Sequence, residues 1–302
     1  MSTKISWCDE TINPVVGCSK ISAGCQNCYA ENMARRLAAM GHPQYREVTD
    51  KHSGLWNGET SFVPSELLKP YKWRKPRSVF VSSMGDLFHE SVCHCWIDDV
   101  MRMVANNSEQ TFIFLTKRPE MMKQYFDLCD RELVEQLTAY YQLSHGTDPY
   151  NLAANWPLPN LVLGVTAEDQ KTADERIRIL LQIPAAKRFV SIEPMLGPVD
   201  LYRGGWSFLN ALVPPPGNKT GWKRSLDGVI VGGESGSKAR MLNPQWVRML
   251  RDQCAESGVP FMFKQWGKNV LSENGRPWEF NFANGFPDLD GKEHSALAWT
   301  VN

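Results

Sequence analysis

The stretch LVLGVTAED, Leu161 to Asp169, is a run of apolar and small residues that ends abruptly in a threonine and two carboxylates. It does not alternate apolar with polar positions, so it suits a strand covered on both faces, as in a parallel sheet. Five other runs share the build: SVFVSSMGD (Ser78 to Asp86), TFIFLTKRP (Thr111 to Pro119), RFVSIEPML (Arg188 to Leu196), GVIVGGESG (Gly228 to Gly236) and VPFMFKQWG (Val259 to Gly267). Helical stretches lie between them. CWIDDVMRMVANN follows the run at Ser78, and PEMMKQYFDLCDRELVEQLTAYYQL follows the run at Thr111, with Pro119 suited to a helix start. DQKTADERIRILLQIP follows Leu161 to Asp169, and NPQWVRMLRDQCAESG is opened by Asn243 and Pro244 and stopped by Gly258. Counting TINPVVGC as a first strand, this alternation predicts an α/β fold with a partial or complete parallel (β/α) barrel of about six to seven strands. An open doubly wound sheet is the alternative. The barrel domain is expected over residues 1–267, with long connections at 53–76 and 202–225, and an irregular tail packing on the barrel over 268–302.

Hydrophobic residues make up 42% of the chain and charged ones 22%, which is ordinary for a soluble globular protein. Lys plus Arg equals Asp plus Glu at 33 each. No global field therefore draws the chain to nucleic acid or an anionic membrane, although a local basic surface can hide inside a neutral total. The opening MSTKISWCDETINP lacks the basic start and apolar core of a secretory signal, and no apolar run approaches the ~20 residues that cross a bilayer. A cytoplasmic location without membrane contact is expected. Thiols stay reduced there, so eight cysteines point to metal or redox chemistry before disulfides.

Ligands of parallel α/β folds bind at the carboxyl ends of the strands. Here those ends carry Ser82, Ser83 and Asp86; Thr116, Lys117 and Arg118; Thr166 and Glu168; Ser191 and Glu193; Glu234 and Ser235; Lys264 and Gln265. Helix capping accounts for Asp86 and Asp169, and Lys117 and Arg118 read equally well as surface charge beside Pro119. Glu193, followed by Pro194, has no such account. The first strand leads into Cys18-x6-Cys25-x2-Cys28, with Gly17 and Gly24 each preceding a cysteine and permitting tight turns. Three converging thiolates would need a compensating cation, which a metal supplies. Structural zinc wants a fourth ligand, for which Cys8 or Cys93-His94-Cys95 are reservoirs. A 4Fe–4S cluster held by only three cysteines leaves one iron open to a cofactor or substrate. Cys129 and Cys254 read as small buried hydrophobes in helices.

The blocks ISWCDETINPVVGCSKISAGCQNCYAE, SSMGDLFHE, LTKRPE, SIEPMLGPVDL, VIVGGESG and VPFMFKQWG together resemble the signature blocks of a family found in phages, prophages and bacteria. That family is catalogued as phage-encoded proteins of unknown function and is similar to the radical S-adenosylmethionine (SAM) superfamily. The resemblance runs from Ile5 to Gly267. It implies a partial barrel, a 4Fe–4S cluster on Cys18, Cys25 and Cys28, and SAM on the open iron. It further implies reductive cleavage of SAM to a 5′-deoxyadenosyl radical that abstracts hydrogen from an unidentified substrate, with an external reductant. The loop departs from the superfamily's usual C-x3-C-x2-C by three extra residues. Asn27 stands where an aromatic is usual, and Tyr29 follows instead as the aromatic cofactor contact.

The same resemblance implies that Ser82, Ser83 and Asp86 accept hydrogen bonds from the SAM amino group. The run Gly228-x-Ile230-x-Gly232-Gly233-Glu234 would support the adenine, its glutamate falling one position early. Thr116, Lys117, Thr166, Glu168 and Glu193 complete the cofactor contacts. Arg118 and Arg240 would pair with a carboxylate or phosphate of the substrate, with Lys264 and Gln265 beside them. Phage context suggests a nucleotide or nucleic acid as substrate. KWRKPR (Lys72 to Arg77) is the best basic–aromatic segment for such contact, against its plainer reading as a solvated loop with a packed Trp73. The competing functional class is a non-catalytic zinc- or cluster-stabilised scaffold using Cys8 with the three loop cysteines. An α/β hydrolase lacks its G-x-S-x-G elbow.

Overall fold

The computed structural model describes residues 5–129, 157–202, 211–212, 225–271, 277–278, 288–297 and 299. Seven core strands lie side by side in chain order: β1 (Glu10–Ile12), β2 (Ser78–Val81), β3 (Thr111–Thr116), β4 (Leu161–Ala167), β5 (Lys187–Ile192), β6 (Gly228–Gly232) and β7 (Phe261–Gln265). Every neighbouring pair is parallel. A doubly wound sheet reverses its strand order at a switch point; this one does not, and it curls into a half-barrel flanked by helices. The partial-barrel expectation is met, with seven strands.

β4 is buried at all seven positions, as its unbroken apolar run requires. Successive residues face opposite sides of the sheet, and two hydrophobic clusters follow that parity. Val79, Val81, Phe112, Phe114, Leu163, Val165, Val190 and Val229 face the helices in the main core. Phe80, Ile113, Val162, Phe189, Ile230 and Met262 face inward, where Trp7, Cys8, Leu297 and Trp299 join them. Phe189 sits 6.2 Å from the Trp7 ring and 4.7 Å from the Trp299 ring. Its own ring covers Gly164, where an added Cβ would fall 2.1 Å away. This aromatic plug fills the interior toward the amino ends of the strands. Gly164→Ala overpacks it, and unfolding in urea is expected to lose about 1–3 kcal/mol; an unchanged midpoint would mean that the ring is not held there.

Above the plug the inward positions turn polar: Thr166 on β4 and Glu168 just after it, Ser191 on β5 and Glu193 just after it, Lys264 on β7. The helices that return the chain are α1 (Tyr29–Ala39), α2 (His94–Ala105), α3 (Pro119–Cys129), α4 (Gln170–Leu180) and α5 (Pro244–Ser257). α4 opens on a capping box between Asp169 and Thr172, and α5 opens on an Asn243 cap and closes at Gly258 with φ +66°. The expected continuation of α3 past Cys129 and most of the 202–225 connection lie outside the described residues.

The first strand is shorter than TINPVVGC. Pro14 has no N–H for a ladder, so β1 stops at Ile12 and Val15–Val16 pairs antiparallel with Ser61–Phe62 instead. The chain is thereby sent off the rim into the cysteine loop and α1. Val16, Ala34, Tyr45, Val48 and Met84 form a small separate core there. At the other edge, Ser295 of the tail bridges Met262 antiparallel, and the Phe263 N–H donates to His294 O, which covers part of the open side of β7. No helix among the described residues is long and apolar enough to cross a membrane.

Candidate functional site

The cysteine loop is tied down from several strand ends. Gly17 starts it with φ +94°, and a Cβ there would lie 2.3 Å from Glu59 O, so both conformation and space demand glycine. Arg118, just past β3, is only 3% exposed; it is a buried hub, and the surface-charge reading gives way. Its Nε donates to both carboxylate oxygens of Glu90 at 2.9 Å, and its Nη1 to Asp86 Oδ2 at 3.1 Å. Nη1 also reaches Cys18 Sγ at 3.6 Å, while Nη2 donates to Ser19 Oγ at 2.7 Å and Ser19 O at 3.2 Å. The fork therefore holds the start of the loop against the β2 and β3 ends.

Asp86 and Thr116 serve this hub. Thr116 Oγ1 donates to Asp86 Oδ1 at 2.7 Å and accepts from the Arg118 N–H at 2.9 Å. His89 Nε2 lies 2.8 Å from Ser19 Oγ, and its Nδ1 accepts from the Ser91 N–H at 3.1 Å. Burial first, then Arg118, lowers the His89 pKa, which disfavours the charged ring.

The middle of the loop rests on Glu168, which is fully buried. Ser22 Oγ donates to Glu168 Oε1, and Arg176 Nη1 donates to Oε2 at 3.0 Å. Gly24 lies flat against this carboxylate: a Cβ would meet Oε1 at 2.4 Å and Cγ at 2.6 Å. Gly24 is thus required by close packing, whereas Gly17 is the one that supplies a left-handed turn. The end of the loop is clamped by Arg240, whose Nε and Nη2 grip Glu234 at 2.9 and 2.6 Å while Nη1 donates to Ala23 O at 2.9 Å. Asn27 Nδ2 donates to Glu234 Oε2 at 3.0 Å and Lys238 O at 2.9 Å. Asn27 is therefore a tether of the loop.

Glu193, Lys264 and Gln265 form a second group on the inward face. Lys264 Nζ and Gln265 Nε2 donate to Glu193 Oε1 at 2.7 and 3.3 Å. Gly232 leaves room for that carboxylate, 3.3 Å from where its Cβ would be, and Gly233 abuts Trp266 O, which leaves no room for a side chain. Ser83 turns away and donates to Asn13 Oδ1 at 3.0 Å. Tyr29 is 67% exposed at the start of α1. Ser82 is 3% exposed with φ +62°, and its hydroxyl has no hydrogen-bond partner among the described residues. A non-glycine residue in that conformation costs of order 1–2 kcal/mol, so the rim holds a strained, buried and unsatisfied polar group.

The thiols differ. Burial, then Asp86, pushes Cys18 up to about 12 against the opposing pull of Arg118, and the Cys25 thiolate adds to the rise. Burial also raises Cys25, but Lys117 and hydrogen bonds at Ile21 and Ser22 outweigh it and the net shift is down. In metal-free protein at neutral pH, iodoacetamide is expected to label Cys25 before Cys18, with peptide mass mapping as readout; equal labelling would contradict the assigned roles of Lys117 and burial. Cys8 lies in the inward cluster with Trp7 and Phe189, and Cys93 and Cys95 are bonded to each other at the start of α2. Neither reservoir sits with the loop thiols as a fourth ligand. Among the described residues, no group of three or more His, Cys, Asp or Glu is gathered as a metal cage. The three thiols form an array along one tethered loop.

His89, at a strand end in sequence, was given no role there, and Arg176, Ser19, Ser22 and Glu90 are site residues that pattern reading passed over. Arg176 was accessible to it: with Ala173, Ile177 and Leu180 it shares the buried face of α4.

Fold and site together define an α/β partial-barrel protein with a three-cysteine loop lashed across its carboxyl rim. The chain belongs to the DUF5131 family, a family of proteins of unknown function, which it matches over residues 2–297. No curated protein matches it.

Proposed function

We propose that the chain is an iron–sulfur enzyme of the radical SAM type, acting on a nucleotide or nucleic-acid substrate. The observation that supports this reading is the fixing of one thiol-bearing loop by side chains from the ends of β2, β3, β4 and β6. Soft thiolates suit iron: Cys18, Cys25 and Cys28, which are not gathered into a cage here, would hold the cluster by their donor chemistry, with the positive charge of Lys117 and Arg118 offsetting theirs. When bound, the cluster with SAM supplies a one-electron reductive cleavage of the sulfonium, the electron coming from an external reductant. The chain's own residues position and shield. Arg118 orients the Cys18 end of the loop, and Asn27 with Arg240 pins the Cys28 end. Glu193, Lys264 and Gln265 offer a hydrogen-bonding patch for ribose hydroxyls or a carboxylate, and the Ser82 hydroxyl adds a buried donor. The Trp7–Phe189–Trp299 plug keeps water from the interior below.

Anaerobic incubation with SAM and dithionite tests this. The wild type is expected to release 5′-deoxyadenosine and methionine, and Cys28→Ala to stay at background. A wild type that binds iron yet releases neither product would reject catalysis and leave a cluster-bearing scaffold.

A further inference from the structure

The segment KPYKWRKPR, Lys69 to Arg77, carries five basic residues, and no acidic residue occurs between Glu66 and Asp86. In a chain of zero net charge this is a local concentration. Two of the five are neutralised: Lys69 pairs with Glu66 at 2.7 Å, and Arg77 pairs with Glu10 while covering the Trp73 ring at 5.7 Å. Trp73 is half-buried against the main core, so the packed-tryptophan reading holds for that residue. Lys72, Arg74 and Lys75 are different. All three are exposed and pair with no carboxylate among the described residues. Tyr71 stands beside them, 54% exposed. Consecutive 3-10 turns, Pro64–Leu68 and Pro70–Lys72, each begin with proline and restrict the backbone as far as Lys72, and Arg74 and Lys75 follow directly, ahead of Pro76.

From this we infer that Tyr71, Lys72, Arg74 and Lys75 form a binding site for a single-stranded nucleic acid, the cations contacting phosphates and Tyr71 stacking on a base. Single-strand binders combine a basic track with an aromatic platform, and a preset backbone loses little entropy on binding. An acidic protein or an anionic membrane would use the charges but not the ring. The segment leads into the amino end of β2, whereas the cysteine loop leaves from the carboxyl end of the first strand, so the inference stands apart from whatever chemistry the thiols perform.

Fluorescence anisotropy of a labelled single-stranded oligonucleotide against the metal-free full chain tests it. Three phosphate contacts give a slope of about −2 in log K against log salt, or roughly fifteenfold weaker binding from about 50 to about 200 mM salt. Lys72→Gln/Arg74→Gln/Lys75→Gln is expected to abolish the slope with an unchanged melting temperature, since these residues are exposed. Tyr71→Ala is expected to weaken single-strand binding about tenfold and duplex binding little. A triple variant with the wild-type slope, a Tyr71→Ala effect equal on single strand and duplex, or wild-type binding to phosphatidylserine vesicles with none to the oligonucleotide would each overturn the inference. Because no cluster is present, failure here leaves the radical SAM reading standing, and the converse also holds.

Discussion

Arg118→Ala lowers the unfolding free energy by about 3–5 kcal/mol, the usual consequence of leaving one partner of a buried ion pair uncompensated. Asp86 and Arg118 are both almost fully buried and 3.1 Å apart. The substitution strands Asp86 and also removes the donors to Cys18 and Ser19. Arg118→Lys keeps the charge without the fork and falls between the two. The pH dependence follows from Glu90, held below the usual carboxylate range: partial burial raises it, and its own backbone N–H and Arg118 more than offset that. A depressed carboxylate stabilises above its unfolded pKa and loses that contribution as pH falls through the folded one. The gap between wild type and variant therefore narrows below about pH 4. Urea unfolding at neutral and acidic pH measures both; a neutral-pH loss under about 1 kcal/mol would place the hub in a solvated setting.

Gly24→Ala is the second large effect. The new methyl meets the Glu168 carboxylate, which has Arg176 on its other oxygen and no exposure to retreat into. Either the loop lifts or the buried pair breaks, and we expect about 2–4 kcal/mol of lost stability. Loop release separates this from a simple packing defect: Cys25 and Cys28 are expected to alkylate faster in the variant. The double change Gly24→Ala/Glu168→Ala costs less than the sum of its parts, because both act on one contact. Strict additivity would contradict the contact.

The strands were legible because burial on both faces leaves continuous apolar runs, as at Leu161–Ala167 and Gly228–Gly232. The rim was legible because the carboxyl-end rule converts each strand terminus into a site candidate. Which rim residues pair was not. Asp86 and Thr116 stand 30 positions apart, Gly24 and Glu168 lie 144 apart, and no local pattern encodes either contact. Arg118 reads in sequence equally as a ligand-pairing cation of the rim and as surface charge beside Pro119; only the fold shows that it is buried under the cysteine loop. β1 was overextended for the opposite reason, since Val15–Val16 has strand character but finds its partner at Ser61–Phe62.

Iron and acid-labile sulfide content of anaerobically reconstituted protein is the most direct measurement of the central claim, that three loop thiols hold a cluster. The account predicts brown protein with about four iron and four sulfide per chain, falling toward zero when Cys18, Cys25 or Cys28 is changed to alanine and unchanged in Cys8→Ala. Colourless protein with one bound zinc, or iron that survives all three substitutions, would contradict it.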